Sequence, residues 1–116
     1  MDIKKLEKWS EDFNILGHPI RLAIVGVLLG SELFKEQPLG SLTFSQFARI
    51  LNLSANELTY HLHKLIDSGF LQKYPYMNEE THRVFAVYSL TPKAKEFMKD
   101  FGVTEEIIGR LRHMQE

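Results

Sequence analysis

The chain has 116 residues, 44% of them apolar and 25% charged, with no cysteine and a net charge of −1 with the histidines neutral. That length suits one domain, able to remove roughly 65% of its unfolded surface from water, and the ordinary composition argues against disorder. The absence of cysteine excludes disulfides, thiolate metal sites and cysteine nucleophiles together. No apolar signal core follows Met1, and the longest apolar run, residues 23–29, is too short to cross a bilayer. The expectation is a soluble, cytoplasmic protein with no membrane contact. The near-neutral charge stands against the basic balance of many nucleic-acid binders, so the placement of charge decides that question.

Taken in chain order, Ile3, Leu6, Trp9, Phe13 and Leu16 recur at helical steps, with Glu7, Glu11 and Asp12 off the stripe. Gly17 closes this helix and His18-Pro19 opens the next, whose Ile20, Ala23, Ile24, Val27 and Leu28 predict a central, buried helix. Residues 31–39 are looser and extend that helix by at most a turn before Pro38. Leu42-Thr43-Phe44 reads as a short strand. Ser45 is the expected N-cap of a helix through Phe47, Ala48, Ile50 and Leu51, and Asn52 suits its left-handed end. Ser54 caps a helix over residues 55–68 with Leu58, Leu62, Leu65 and Ile66 inward, and Gly69 ends it.

Beyond Gly69 the period changes from helix to strand. Residues 70–76 and 83–90 are rich in aromatic and β-branched residues, and the polar stretch 77–82 between them predicts a β-hairpin with Pro75 on an edge or bulge. Thr91-Pro92 opens a last helical region with Ala94, Phe97, Met98 and Phe101 on one face. Gly102 breaks it, Thr104 recaps it, and Ile107, Ile108, Leu111 and Met114 continue the stripe. No repeat or linker divides the chain. The expected fold is α+β, mainly helical, a single domain over residues 1–116. Its parts are an N-terminal helix (1–16), a helix-turn-helix with a wing (17–90) and a C-terminal helical region (91–116).

Two short capped helices joined by Asn52-Leu53-Ser54 and followed by a hairpin make a helix-turn-helix with a wing, since a tight turn sets the angle at which a helix enters the major groove. Residues 43–54, the run Leu58-Thr59-Tyr60-His61-Leu62-His63-Lys64-Leu65, the earlier His18-Pro19-Ile20-Arg21-Leu22-Ala23-Ile24 and Gly69-Phe70-Leu71 together resemble the ArsR-like winged helix-turn-helix family of transcription regulators. The resemblance covers about residues 17–92. It implies a homodimer on a partly palindromic site of double-stranded DNA, with residues 55–68 as the reading helix. With Leu58, Leu62 and Leu65 inward, Ala55, Asn56, Thr59, Tyr60, His63 and Lys64 face the groove. Asn56 suits an adenine edge, Ala55 or Thr59 a thymine methyl, and Lys64 and Tyr60 phosphate.

Gln46 and Arg49 on the preceding helix are expected phosphate contacts, and Lys73, Arg83 and His82 are the wing's cations, opposed by Glu79 and Glu80. Arg21 is read as a structural salt-bridge partner. The resemblance also places the dimer interface on the terminal helices, through Leu6, Trp9, Phe13, Phe97, Phe101, Ile107, Ile108 and Leu111, which would otherwise leave a large apolar patch.

His61 and His63 diverge on a helix, and His18, His82 and His113 have no partner at useful spacing, so no metal and no cofactor are expected. The metal-sensing members of the resembled family use cysteines or histidine–carboxylate pairs, which this chain does not offer. No nucleophile–base pair, phosphate loop or acid pair marks an enzyme. Two other readings stay open. One is a winged-helix protein-interaction module in a transcription or chromatin assembly; the other is a small-molecule sensor with its ligand at the dimer interface.

Overall fold

The computed structural model describes residues 2–33 and 41–100. Asp2 caps the first helix, α1 (Ile3–Leu16), accepting from the Lys4 and Lys5 amides. Helix α2 (Pro19–Leu33) follows at once, with His18 Nδ1 accepting from the Ile20 amide at 3.1 Å. Strand β1 (Ser41–Thr43) then leads into α3 (Phe44–Leu51). The N-cap of α3 is Thr43, not Ser45. Its hydroxyl accepts from the Gln46 amide at 3.1 Å, and Gln46 Oε1 accepts from the Thr43 amide at 2.8 Å. This reciprocal box satisfies two helix-end donors and draws Phe44 out of the strand into the first turn.

Asn52 ends α3 with φ 52° and ψ 52°, as its place after Leu51 predicts. Ser54 caps α4 (Ala55–Asp67) by accepting from the Glu57 amide at 3.2 Å. Gly69, at φ +85°, turns the chain into strand β2 (Leu71–Met77), which pairs antiparallel with β3 (Val84–Leu90). The sheet order β1-β3-β2 leaves β2 on an edge, where Pro75, opposite Ala86, breaks no inner ladder. Thr91 caps α5 (Pro92–Asp100), accepting from the Ala94 amide, and its hydroxyl donates to the Gly69 carbonyl, tying the wing's return to its start.

The core gathers Ile24, Val25 and Leu28 of α2, Phe47 of α3, Leu58, Leu62 and Leu65 of α4, and Phe70, Val87 and Leu90 around the sheet. Edge-on ring contacts link Phe47 to Tyr88 and Phe70 to Phe97. Mostly helical, with a small three-stranded antiparallel sheet behind a helix-turn-helix, this is a winged helix. Among the described residues no single helix is long and apolar enough to cross a membrane.

Two cations hold α4 in place. Lys93 of α5 forms an ion pair with Asp12 of α1 at 3.3 Å, donates to the Ser68 carbonyl at the end of α4 at 2.7 Å, and lies over the Phe70 ring. Asp12, expected off the apolar stripe, is buried for this reason. Arg21 of α2 donates through Nε to His61 Nδ1 of α4 at 3.1 Å and through Nη1 to the Ile15 carbonyl of α1 at 3.0 Å. It is structural, and among the described residues its partners are an imidazole and a carbonyl rather than a carboxylate. Because Arg21 can only donate, His61 must present a bare Nδ1 and is neutral. Burial holds the His61 pKa below its ordinary value of 6.5, His18 and Arg21 push it the same way, and Glu57 opposes them.

Two stability measurements test this account. A Cβ at Gly69 would require a left-handed alanine and would meet Lys93 Cδ at 3.4 Å. Gly69→Ala is therefore expected to destabilise by about 1–2 kcal/mol in urea denaturation. Gly26→Ala, inside α2 with nothing within 4 Å of the new methyl, should stabilise by about 0.5–1 kcal/mol. For His61, the unfolded chain takes up a proton near pH 6.5 while the folded chain resists it. Its contribution is therefore fully present above that value and is lost as pH falls toward the lower folded pKa. Urea midpoints should drop as pH falls below about 6.5, and His61→Gln should flatten that part of the curve.

Candidate nucleic-acid interface

Helix α4 divides cleanly. Leu58, His61, Leu62 and Leu65 are buried, whereas Ala55, Asn56, Thr59, Tyr60, His63 and Lys64 are all exposed. The side-chain amide of Asn56 makes no hydrogen bond among the described residues, so its donor and acceptor are both available to a base edge. Tyr60 is 54% exposed, and Lys64 Nζ lies 5.6 Å from its ring centroid. That contact fixes a cation and a hydroxyl side by side on the outer surface. The packing of His61 against the core, expected from its position, frees His63 to point outward.

The neighbouring elements are less uniform. Arg49, near the end of α3, is exposed. Gln46 is half-buried, with its carbonyl oxygen committed to the capping box and only its amide NH2 left for another partner. The wing's two cations lie apart: Lys73 sits opposite Tyr88 at the base of the hairpin, with Nζ 5.9 Å from that ring. Arg83 is at the tip, five residues away along β3, or about 16 Å at strand spacing. The tip is held by Asn78, whose Oδ1 accepts from the Glu80 and Thr81 amides and whose N–H donates to the Arg83 carbonyl. His82 turns the chain there at φ 58°. Arg83 therefore shares the tip with Glu79 and Glu80.

The terminal apolar residues behave differently from one another. Leu6 and Phe13 are exposed and Trp9 is half-buried. Phe97 is only 8% exposed, with its ring edge-on to Phe13 at 5.4 Å and to Phe70 at 5.7 Å. It thus joins α5 to α1 within one chain. Phe101, Ile107, Ile108 and Leu111 lie outside the described residues, as do Gly102 and Thr104. Ile3, on the same stripe but not among the expected interface residues, and Leu22 widen the exposed apolar surface of α1 and α2.

The structure also brings together residues that sequence spacing separates. The rings of His18 and His61 stack at 4.2 Å, tilted by 41°, with Arg21 Nε donating to His61 Nδ1. An open cleft of about 550 Å³ lies between the α1–α2 corner and the outward face of α4. No group of three possible metal ligands occurs among the described residues.

Comparisons with known proteins agree with this geometry. A search of curated protein sequences finds no match to the chain. Among solved structures, the transcriptional regulator homologue protein from Pyrococcus horikoshii OT3 is similar over 90% of this chain and 97% of its own, at 25% identity and a TM-score of 0.60. A protein with a GntR superfamily winged-helix-turn-helix domain from Halomicrobium mukohataei is similar over the whole chain and 79% of its own, at 19% identity and a TM-score of 0.71, which speaks for the fold. The profile described as "Helix-turn-helix domain" matches residues 16–73, from the end of α1 through both helices of the motif into β2. The chain belongs to this helix-turn-helix domain family.

Proposed function

We propose that the chain is a sequence-specific DNA-binding transcription regulator of the ArsR-like type, acting as a cytoplasmic homodimer on a partly palindromic site. The observation that carries the reading is the exposed row Ala55, Asn56, Thr59, Tyr60, His63 and Lys64 on a helix whose opposite face is locked into the core. Such a row has the mixture that groove reading requires, with small apolar contacts, one bidentate amide and a phosphate-seeking cation beside them. Family membership in the helix-turn-helix domain supports it. Arg49 from α3, the free amide of Gln46, Arg83 from the wing tip and Lys73 from its base supply the flanking contacts. The exposed apolar face of α1, with Leu6 and Phe13 and with Trp9 at its margin, supplies the seam between two copies.

A second reading draws on the hairpin. Met77 and Val84, paired across it, are 52% and 66% exposed, and two acids sit at the tip. That surface suits a protein partner better than a phosphate backbone.

Four measurements test these readings. Selection of bound fragments from random DNA should yield an inverted repeat with half-sites about one helical turn, or a multiple, apart. Asn56→Ala should weaken the selected site by about 1–3 kcal/mol and random DNA less. Equal losses on both, or none, would overturn the assigned groove face. If Arg49, Lys64 and Arg83 each neutralise one phosphate per copy, log affinity should fall with log salt at a slope of about −5 for two copies. A protein-interaction module has no such slope. Sedimentation should give a dimer that Leu6→Glu shifts toward monomer.

A further inference from the structure

The cleft beside α4 has the character of a binding site in its own right. Its lining includes Phe13 and Asn14 of α1, His18 and Arg21 at the start of α2, and Tyr60 and Lys64 of α4. No acidic side chain lines it. Its volume of about 550 Å³ falls within the range of small-molecule sites.

The electrostatics are unbalanced in a specific way. Arg21 is half-buried, and its two protein acceptors, His61 Nδ1 and the Ile15 carbonyl, are both neutral. A partly desolvated guanidinium without a carboxylate is unfavourable unless an anion completes it. Lys64, likewise, meets a tyrosine ring and, among the described residues, no acid. Burial is the first cause of the lowered His61 pKa, and His18 and Arg21 add to it by disfavouring a further positive charge there. The flanks of the cleft are apolar and aromatic, with Phe13 about half exposed and Ile15 beside it. Phosphate alone would leave those surfaces in water.

We propose that this cleft binds a small organic anion, its carboxylate or phosphate seated between Arg21 and Lys64 and its apolar body lying against Phe13 and Tyr60. Because Tyr60 and Lys64 are also on the outward face of α4, an occupied cleft withholds them from a duplex. That consequence, unlike the site itself, rests on the proposed DNA reading.

The test is an amide-detected NMR titration of the full chain at fixed ionic strength, with benzoate, neutral benzamide and inorganic phosphate as probes. Benzoate should give saturable shifts at Asn14, His18, Arg21, Tyr60 and Lys64, with affinity about tenfold above either other probe, as one charge-assisted contact implies. Absence of saturable benzoate shifts there overturns the site. Equal binding of benzamide reduces it to apolar contact, and equal binding of phosphate to a charge-only site; either result overturns the proposal. Arg21→Gln should weaken benzoate about tenfold or more. Since Arg21 also ties three helices together, Lys64→Gln, on the exposed face, serves as the second variant. An unchanged benzoate affinity in Lys64→Gln overturns the proposed seat. In a separate arm, benzoate should displace a selected duplex from the wild-type protein when chloride at equal ionic strength does not. Failure to bind any duplex counts against the regulator reading, and the NMR titration still decides the cleft.

Discussion

The burial of Leu58, Leu62 and Leu65 sets the rotation of α4, and what the molecule presents to a partner follows from that rotation. Each of these side chains, fully withdrawn from water, contributes about 1.5–3 kcal/mol. Turning the helix by one residue, about 100°, would expose them and bury Lys64 or Asn56 instead. No such alternative is competitive. The outward row is thus the remainder left by core packing, and its chemistry is free to vary without cost to the fold. The ends of α4 are fixed as firmly: Ser54 sets where it starts and Gly69 where the wing leaves it.

Rotation alone does not place a helix relative to the rest of a dimer. That is the work of Arg21 and Lys93, which reach α4 from opposite directions, one at His61 in its middle and the other at the Ser68 carbonyl beyond its last turn. Both also hold α1, through the Ile15 carbonyl and Asp12. The helix proposed to read DNA is therefore fastened to a helix proposed to form the dimer seam through two charge-assisted contacts. These are directional, and they fail abruptly when a partner changes state. His61 is the sensitive member, because one proton on Nδ1 replaces an acceptor with a donor facing a guanidinium.

Features set by neighbours in the chain were legible in the sequence. The period of Leu58, Leu62 and Leu65, the left-handed Asn52, the Ser54 cap, the turn at Gly69 and the edge position of Pro75 all depend on local backbone chemistry, and each stands where the sequence places it. The N-cap of α3 was not decided locally, since Thr43 and Ser45 are both good caps. Pairing of β1 with β3, Thr43 opposite Val87, keeps Thr43 extended and settles the matter. The burial of Asp12 and the packing of Phe97 against α1 were not legible in the sequence for a related reason. Their partners, Lys93 and Phe13, come from the other end of the chain, and no periodicity within one helix shows such a meeting. The stacking of His18 on His61 is invisible in the same way, and with it the cleft.

The lack of a net positive charge, awkward at first sight for a DNA-binding protein, has a consistent place in this arrangement. Arg83 at the wing tip is accompanied by Glu79 and Glu80, and the first turn of α4 carries Glu57, so the sequence-independent attraction to phosphate is weak. A weak non-specific term raises the ratio of specific to random binding for a given set of base contacts. On the proposed DNA reading, the discriminating energy would fall on neutral groups such as Asn56 and Thr59, and two copies would act together to bring affinity into a useful range. A complex held by few contacts is also easy to release. On the proposed reading, withdrawing Lys64 and Tyr60 from each half-site would remove two of the proposed phosphate contacts, and a small anion of modest affinity would then shift the balance.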